Sequence, residues 1–280
     1  MTVLSTRHPL LYALRVAELR LERRLSDARA RTRFARLQTP DLLPIVVLHH
    51  SSLLRRRLGT TDPRLQETKI ANLRLAVATL DRLVIAPGET FSFWQRVGPP
   101  SARRGYREGL VLVRGQPAAG VGGGLCQLSN LVHWMVLHTP LEVAERHHHS
   151  VDAFADDRRA LPFGTGASVF YNYVDLRVRN STAQSFQLEI WLTDDKLHGR
   201  IRTTQPLDEA FHVFEVGDHF ERIEHGVVRC NEVWRRRMDR HTGRVLADEC
   251  LMRNRSPVGY PVDDALIEAP HADQGNTVSQ

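Results

Sequence analysis

Cys126 ends a glycine-rich run, Gly120, Val121, Gly122, Gly123, Gly124, Leu125, and is followed by Gln127, Leu128, Ser129 and Asn130. Nineteen residues after it begins Glu145, Arg146, His147, His148, His149, which puts His147 twenty-one residues past the cysteine. A thiol at the first turn of a helix feels the positive end of the helix dipole and nearby N–H groups, which favour the thiolate, and an imidazolium favours it further. The pattern predicts a site with Cys126 as nucleophile, His147 or His149 as general base, and Asp175 or Glu145 as the carboxylate that orients the histidine. The reaction would be that of a cysteine-dependent amide hydrolase or acyl transferase. The same turn suits a different use, because glycines admit a ligand close to the backbone and N–H groups at a helix start hold carboxylate, phosphate or oxyanion. On that reading Gly122, Gly123, Gly124, Gln127, Asn130 and Arg146 bind a ligand without chemistry, with Arg107 and Arg177 as further charge partners. The plain alternative is a buried cysteine, a tight turn and a solvated histidine run. Cys126, His133, His147 and His149 offer zinc donors, but no C-x-x-C or H-E-x-x-H spacing accompanies them, so no metal and no cofactor is expected.

Those residues need a helix and a strand to bring them together. Apolar spacing predicts a helix from Gln127 to about His138, roughly 18 Å long at about 1.5 Å per residue, stopped by Thr139 and Pro140. Leu141 onward alternates as a strand, and five or six residues at about 3.3 Å each return the chain to the level of the helix start. That places His147 near Cys126, with Glu145, His147 and His149 on one strand face. On the helix, Leu128, Leu131, Val132 and Met135 form an apolar stripe, with Cys126, Asn130, His133 and Leu137 on the opposite side.

The flanking chain is helical first and stranded later. Leu11, Leu14, Glu18, Leu21 and Leu25 follow helical spacing within residues 9–37, and Asp62-Pro63 opens a second helix whose buried face runs Ile70, Leu73, Val77, Leu80, Val84. Residues 89–94 suit an edge strand or a packed loop. Residues 109–114 and Val121 suggest a hairpin around Gly115-Gln116-Pro117. Later, Phe170, Val174, Leu176 and Val178 share one face of a period-two pattern, with Tyr171, Tyr173, Asp175 and Arg177 on the other. Phe186, Leu188, Ile190 and Leu192 repeat it, and further strands are expected at 196–203, 211–216 and 226–236, with a turn at 239–243. The expected class is α+β: N-terminal helices, a central helix begun by the glycine turn and Cys126, then a mostly antiparallel β-sheet. The division expected is a basic helical segment at 1–40, a core domain at 41–205, a β-rich extension at 206–268 and a flexible tail at 269–280.

Composition is that of a globular chain: 280 residues, 42% hydrophobic and 25% charged, enough for one sizeable core. No apolar run approaches the roughly 18 residues that span a bilayer, and residues 1–34, interrupted by arginines, lack the apolar stretch of a signal peptide. The expected location is the cytoplasm. Nine arginines against three acids precede Asp41, so the first helix is basic while the remaining chain is balanced. Such a helix lies on an anionic membrane surface, meets an acidic partner, or packs its leucines on the main domain, the last being the simpler expectation. Nucleic acid is not an expected partner, because aromatic residues do not interleave with the positive charge. Of three cysteines, Cys126 is the odd one out; Cys230 and Cys250 flank an expected hairpin that a reducing compartment would leave unbridged.

Several segments together resemble the VanW family: residues 87–94, 105–110, 122–130, 137–141, Glu145, Arg146 and His147 with His149, and 175–180. They cover most of residues 65–205. The resemblance implies cell-envelope or peptidoglycan business connected with glycopeptide resistance, and a cell-wall precursor or peptide-like ligand as partner; it brings no reaction with it. One departure stands out. Gly166, Ala167, Ser168 and Val169 occupy the place where many members read Asp-Ala-Thr-Val, which leaves Asp175 or Glu145 as the carboxylate to orient a histidine.

Overall fold

In chain order the elements are α1 (Pro9–Arg29), β1 (Ile45–Leu53), α2 (Arg64–Leu80), β2 (Val84–Ile85), β3 (Thr90–Ser92), α3 (Phe93–Val97), β4 (Glu108–Val113), β5 (Gln116–Val121), α4 (Cys126–Leu137), β6 (Glu142–Glu145), β7 (Arg177–Arg179), β8 (Phe186–Leu192), β9 (Lys196–Thr203), β10 (Glu209–Ile223), β11 (Gly226–Asp239), β12 (Val245–Pro257) and β13 (Ile267–Glu268). The structure, a computed structural model, describes residues 9–55, 64–113, 116–148, 150–152, 155 and 161–268. His149, the Asp62-Pro63 helix start, the hairpin tip at 114–115 and the tail from Ala269 lie outside the described residues.

The fold is α+β with mostly antiparallel sheets. One sheet runs β1-β9-β8-β2, a second β12-β11-β10-β13, a third β3-β7-β6, and β4-β5 form a hairpin. In β8, Phe186, Leu188 and Ile190 are buried as their alternation predicts. They join Leu197 and Ile201 of β9, Ile70, Leu73 and Leu80 of α2, and Leu128, Leu131 and Met135 of α4 in one apolar core. A smaller cluster of Leu137, Val213 and Val233 carries α4 onto the β10–β12 sheet.

Three expectations change. Helix α1 stops at Arg29 instead of continuing to about 37, because Ala35 donates its N–H to the Thr90 carbonyl and runs beside β3. Its leucines do not pack on the main domain: Leu10 is 80% and Leu14 66% exposed, with Leu11, Leu21 and Leu25 also exposed. No strand forms at 170–176. Phe170 and Val174 instead bridge across a turn at 171–173, held by Trp94 Nε1 donating to the Val174 carbonyl and by Trp94 packed edge-on to Tyr171. On α4, His133 is buried under residues 163–169 and Leu137 against Val213 and Val233, while Cys126 and Asn130 are half-buried. The sequence reading also missed β1, which pairs along its length with β9. Cys230 faces Arg255 and Cys250 faces Trp234 across the strands, so the two cysteines are not neighbours and both are free.

Candidate functional site

The glycine turn is packed against its own protein. A Cβ on Gly123 would lie 2.2 Å from the Gly109 backbone, and one on Gly124 would lie 2.0 Å from Lys69 Cγ. Gly122 has a positive φ of 79°, a conformation that glycine adopts without penalty. Asn72, fully buried in α2, donates to the carbonyls of Gly123 and Arg107 and accepts from the Arg107 N–H, which fixes the turn to α2 and β4. The N–H groups expected to hold an anion are partly taken: Gly122 donates to Arg107, Gly123 to Gly120 and Gln127 to Gly124. The Gln127 side chain donates to the Ser52 hydroxyl and the Leu53 carbonyl, tying α4 to β1.

The face of α4 that carries Cys126, Asn130 and His133 grips the segment 163–169. Asn130 accepts from the Ala167 N–H at 2.6 Å, the Ser129 hydroxyl donates to the Ala167 carbonyl at 2.6 Å, and His133 Nδ1 donates to the Thr165 carbonyl at 2.8 Å. Arg146 donates to the carbonyls of Gly164 and Gly166. Cys126 Sγ lies 4.0 Å from the Val169 carbonyl. Burial pushes this thiol up from its ordinary value, the opposite of the expected helix-start activation, since desolvation of the thiolate outweighs the hydrogen bond. Burial also drives His133 down to about 4, helped by the Arg146 charge, and brings Arg146 itself down to about 10.

His147 lies on the far side of that segment. Its carbonyl accepts from the Ser168 N–H at 2.7 Å, while its Nε2 meets Glu145 Oε1 at 3.0 Å. The expected Glu145–His147 face is present, and the described partner of Cys126 is a carbonyl in place of an imidazole. Glu145 also receives both ends of the Arg23 guanidinium, at 2.5 and 2.7 Å, and the Asp175 N–H at 3.2 Å.

Asp175 orients no histidine among the described residues. It is wholly buried and accepts from the Ser92 hydroxyl, the N–H groups of Trp94 and Leu176, and Arg177 Nε. Burial pushes its carboxyl up, while those four donors favour the charged form. Arg177 in turn grips Asp27 of α1 with both terminal nitrogens. Burial opposes its charge, and the bonds to Asp27 and Asp175 overcome it, so its pKa is raised.

Arg23 and Asp27 were invisible as site residues in the sequence, although their i, i+4 spacing on α1 puts them on one face. Residues 166–169 stood out in the sequence only as a departure from the family pattern, and the packing of 163–169 on α4 left no signal because its backbone groups make most of the contacts. Asn72 did give one: an asparagine inside the apolar face of α2 needs a buried partner.

Fold and site together define a class: an α+β core whose central helix starts from a packed glycine turn at a cysteine, is strapped by a neighbouring segment and is flanked by a buried ion-pair network. The family described as VanW like protein matches residues 68–202. The chain is 31% identical to the Vancomycin B-type resistance protein VanW of Enterococcus faecalis over 224 residues, 80% of this chain and 82% of that protein. It is 33% identical to the Uncharacterized protein YoaR of Bacillus subtilis over 116 residues, 40% of this chain and 36% of that one. This chain belongs to the VanW family. No solved structure matches it.

Proposed function

We propose that the chain is a non-catalytic binding protein of the cell envelope, recognising the carboxylate of a peptidoglycan precursor or similar peptide-like anion beside α4. The observation that carries this reading is Arg146. It is half-buried, its bonds go to two carbonyls, and among the described residues no carboxylate pairs with it. A desolvated guanidinium without a counter-charge favours binding of an anion. The raised pKa of the Cys126 thiol supports binding over nucleophilic chemistry. The vancomycin-resistance name of the enterococcal relative supports an envelope role. The glycines at 122–124, Gln127 and Asn130 then act as the frame of the site, holding α4 against the segment that Arg146 grips.

The contact with the envelope is the anionic inner surface of the membrane, reached from the cytoplasm through α1. Among the described residues no helix is long and apolar enough to cross a membrane. Exposed leucines beside Arg15, Arg24 and Arg29 are what a surface-lying helix presents to anionic lipid.

A second reading, the cysteine-dependent amide hydrolase or acyl transferase, draws support from the Glu145–His147 pair at 3.0 Å. Calorimetric titration with a stem peptide ending in a free carboxylate, and with its terminal amide, separates the two. Wild type and Cys126→Ala should bind the free acid alike, and Arg146→Gln should bind it at least about tenfold more weakly, the scale of one charge-assisted hydrogen bond. Circular dichroism checks that Arg146→Gln remains folded, and Arg146→Lys restores the charge. Peptide cleavage or transfer that vanishes in Cys126→Ala would overturn the binding reading in favour of the enzyme.

A further inference from the structure

We infer that the β10–β11 hairpin carries a transition-metal site, made by His219, Glu221 and Cys230 and suited to Zn²⁺. The three residues offer an imidazole nitrogen, a carboxylate oxygen and a sulfur, all within 4.8 Å of one another. They lie outside the family match at 68–202, in a part of the chain that the proposed binding function does not use.

The hairpin dictates the grouping. His219 and Glu221 are two residues apart on β10 and so share a face. Cys230 sits directly opposite His219 on β11. A bulge between Val216 and His219 breaks the register next to the site, with Gly217 at a φ of 64°. Its effect is chemical. The Gly217 carbonyl, 2.7 Å from His219 Nδ1, accepts the N–H on that nitrogen and so directs Nε2 toward Glu221 Oε1, 3.0 Å away. A backbone carbonyl on the far nitrogen is the support that metal-binding histidines commonly have. Glu221 has a similar prop, since Arg255 donates to its other oxygen at 3.3 Å. Arg255, opposite Cys230 on β12, also supplies positive charge beside the thiol.

Donor chemistry chooses the metal. Thiolate, imidazole and carboxylate together suit Zn²⁺ and exclude hard, oxygen-seeking Mg²⁺ and Ca²⁺. Bonds of about 2.0–2.3 Å in a tetrahedron hold the donors roughly 3.2–3.8 Å apart. His219 and Glu221, 3.0 Å apart, are already near that spacing, and all three donors lie within 4.8 Å of one another. Binding releases to solvent both the Cys230 thiol proton and the proton shared by His219 Nε2 and Glu221, as the Zn–S, Zn–N and Zn–O bonds form. The fourth position is left for water or an incoming ligand.

The test uses the untagged full chain under reducing conditions with Co²⁺ as a spectroscopic probe for Zn²⁺. One equivalent should bind and give a thiolate-to-metal charge-transfer band, displaced by Zn²⁺, absent in Cys230→Ser and retained in Cys250→Ser. Glu221→Gln and His219→Ala should each weaken Zn²⁺ binding by about 100-fold or more, beyond the roughly 10–100-fold typical of a supporting partner. A measurement without variants guards against misfolding: Zn²⁺ should protect Cys230 of wild type from iodoacetamide, read by peptide mass mapping. A cobalt spectrum lacking the thiolate band, a band that survives Cys230→Ser, or equal alkylation of Cys230 with and without Zn²⁺ would each overturn the site.

Discussion

At the scale of single residues, burial sets the protonation states beside α4. His133 donates to the Thr165 carbonyl, packs inside the protein and is held neutral, with a pKa near 4 against an ordinary value near 6.5. Above pH 6.5 it is neutral both folded and unfolded. As pH falls through 6.5 the unfolded chain takes up the proton that the folded one refuses, so stability drops until about pH 4. The loss expected is about 3 kcal/mol between pH 7 and pH 4. Urea unfolding at the two pH values measures it, and His133→Gln should flatten the dependence even if that variant starts less stable. Parallel curves for the two proteins would show that His133 is not the group responsible.

Elements meet through charge at one seam. Helix α1 lies on β6 and β7 by way of Arg23 on Glu145 and Asp27 on Arg177, the latter pair only 10% and 9% exposed. Stranding a buried charge costs about 3–5 kcal/mol, and losing Asp27 costs less than that because Arg177 keeps Asp175 as a partner. Asp27→Asn should therefore loosen α1. Hydrogen exchange at residues 9–29 should quicken while α2 and α4 keep their protection. Unchanged protection in α1 would mean that its leucines hold it after all, contrary to their exposure. Asp175 and Arg177 are both buried, Asp175 by its bonds to Ser92 and Trp94 and Arg177 under Asp27 of α1, and the chain turns at 171–173 before β7 begins.

For the whole molecule, the unpartnered face of α1 faces outward from a core that is complete without it. Transfer of one leucine from water to an apolar phase yields about 1.5–3 kcal/mol, and each arginine near an anionic surface adds about 1 kcal/mol. Sedimentation with vesicles should show binding to anionic lipid that weakens with salt, little binding to neutral lipid, and loss on replacing Leu11 and Leu14 by aspartate. Equal association with neutral and anionic vesicles would remove the proposed membrane contact. What the sequence determined by itself is whatever depends on local period and punctuation: the α+β class, the start and stop of α4, the β4–β5 hairpin, and β8 and β9, where apolar spacing and turn residues act within a few positions. Geometry across the chain decided the rest. The Cys126 thiol is raised because it is desolvated where α4 starts, with the Val169 carbonyl beside it. The glycines are needed because Gly109 and Lys69 press on them, and Glu145, not Asp175, meets the histidine because α1 and β3 claim Asp175 and its neighbour Arg177. Desolvation and close packing depend on which distant segments arrive, and residue spacing carries no record of them.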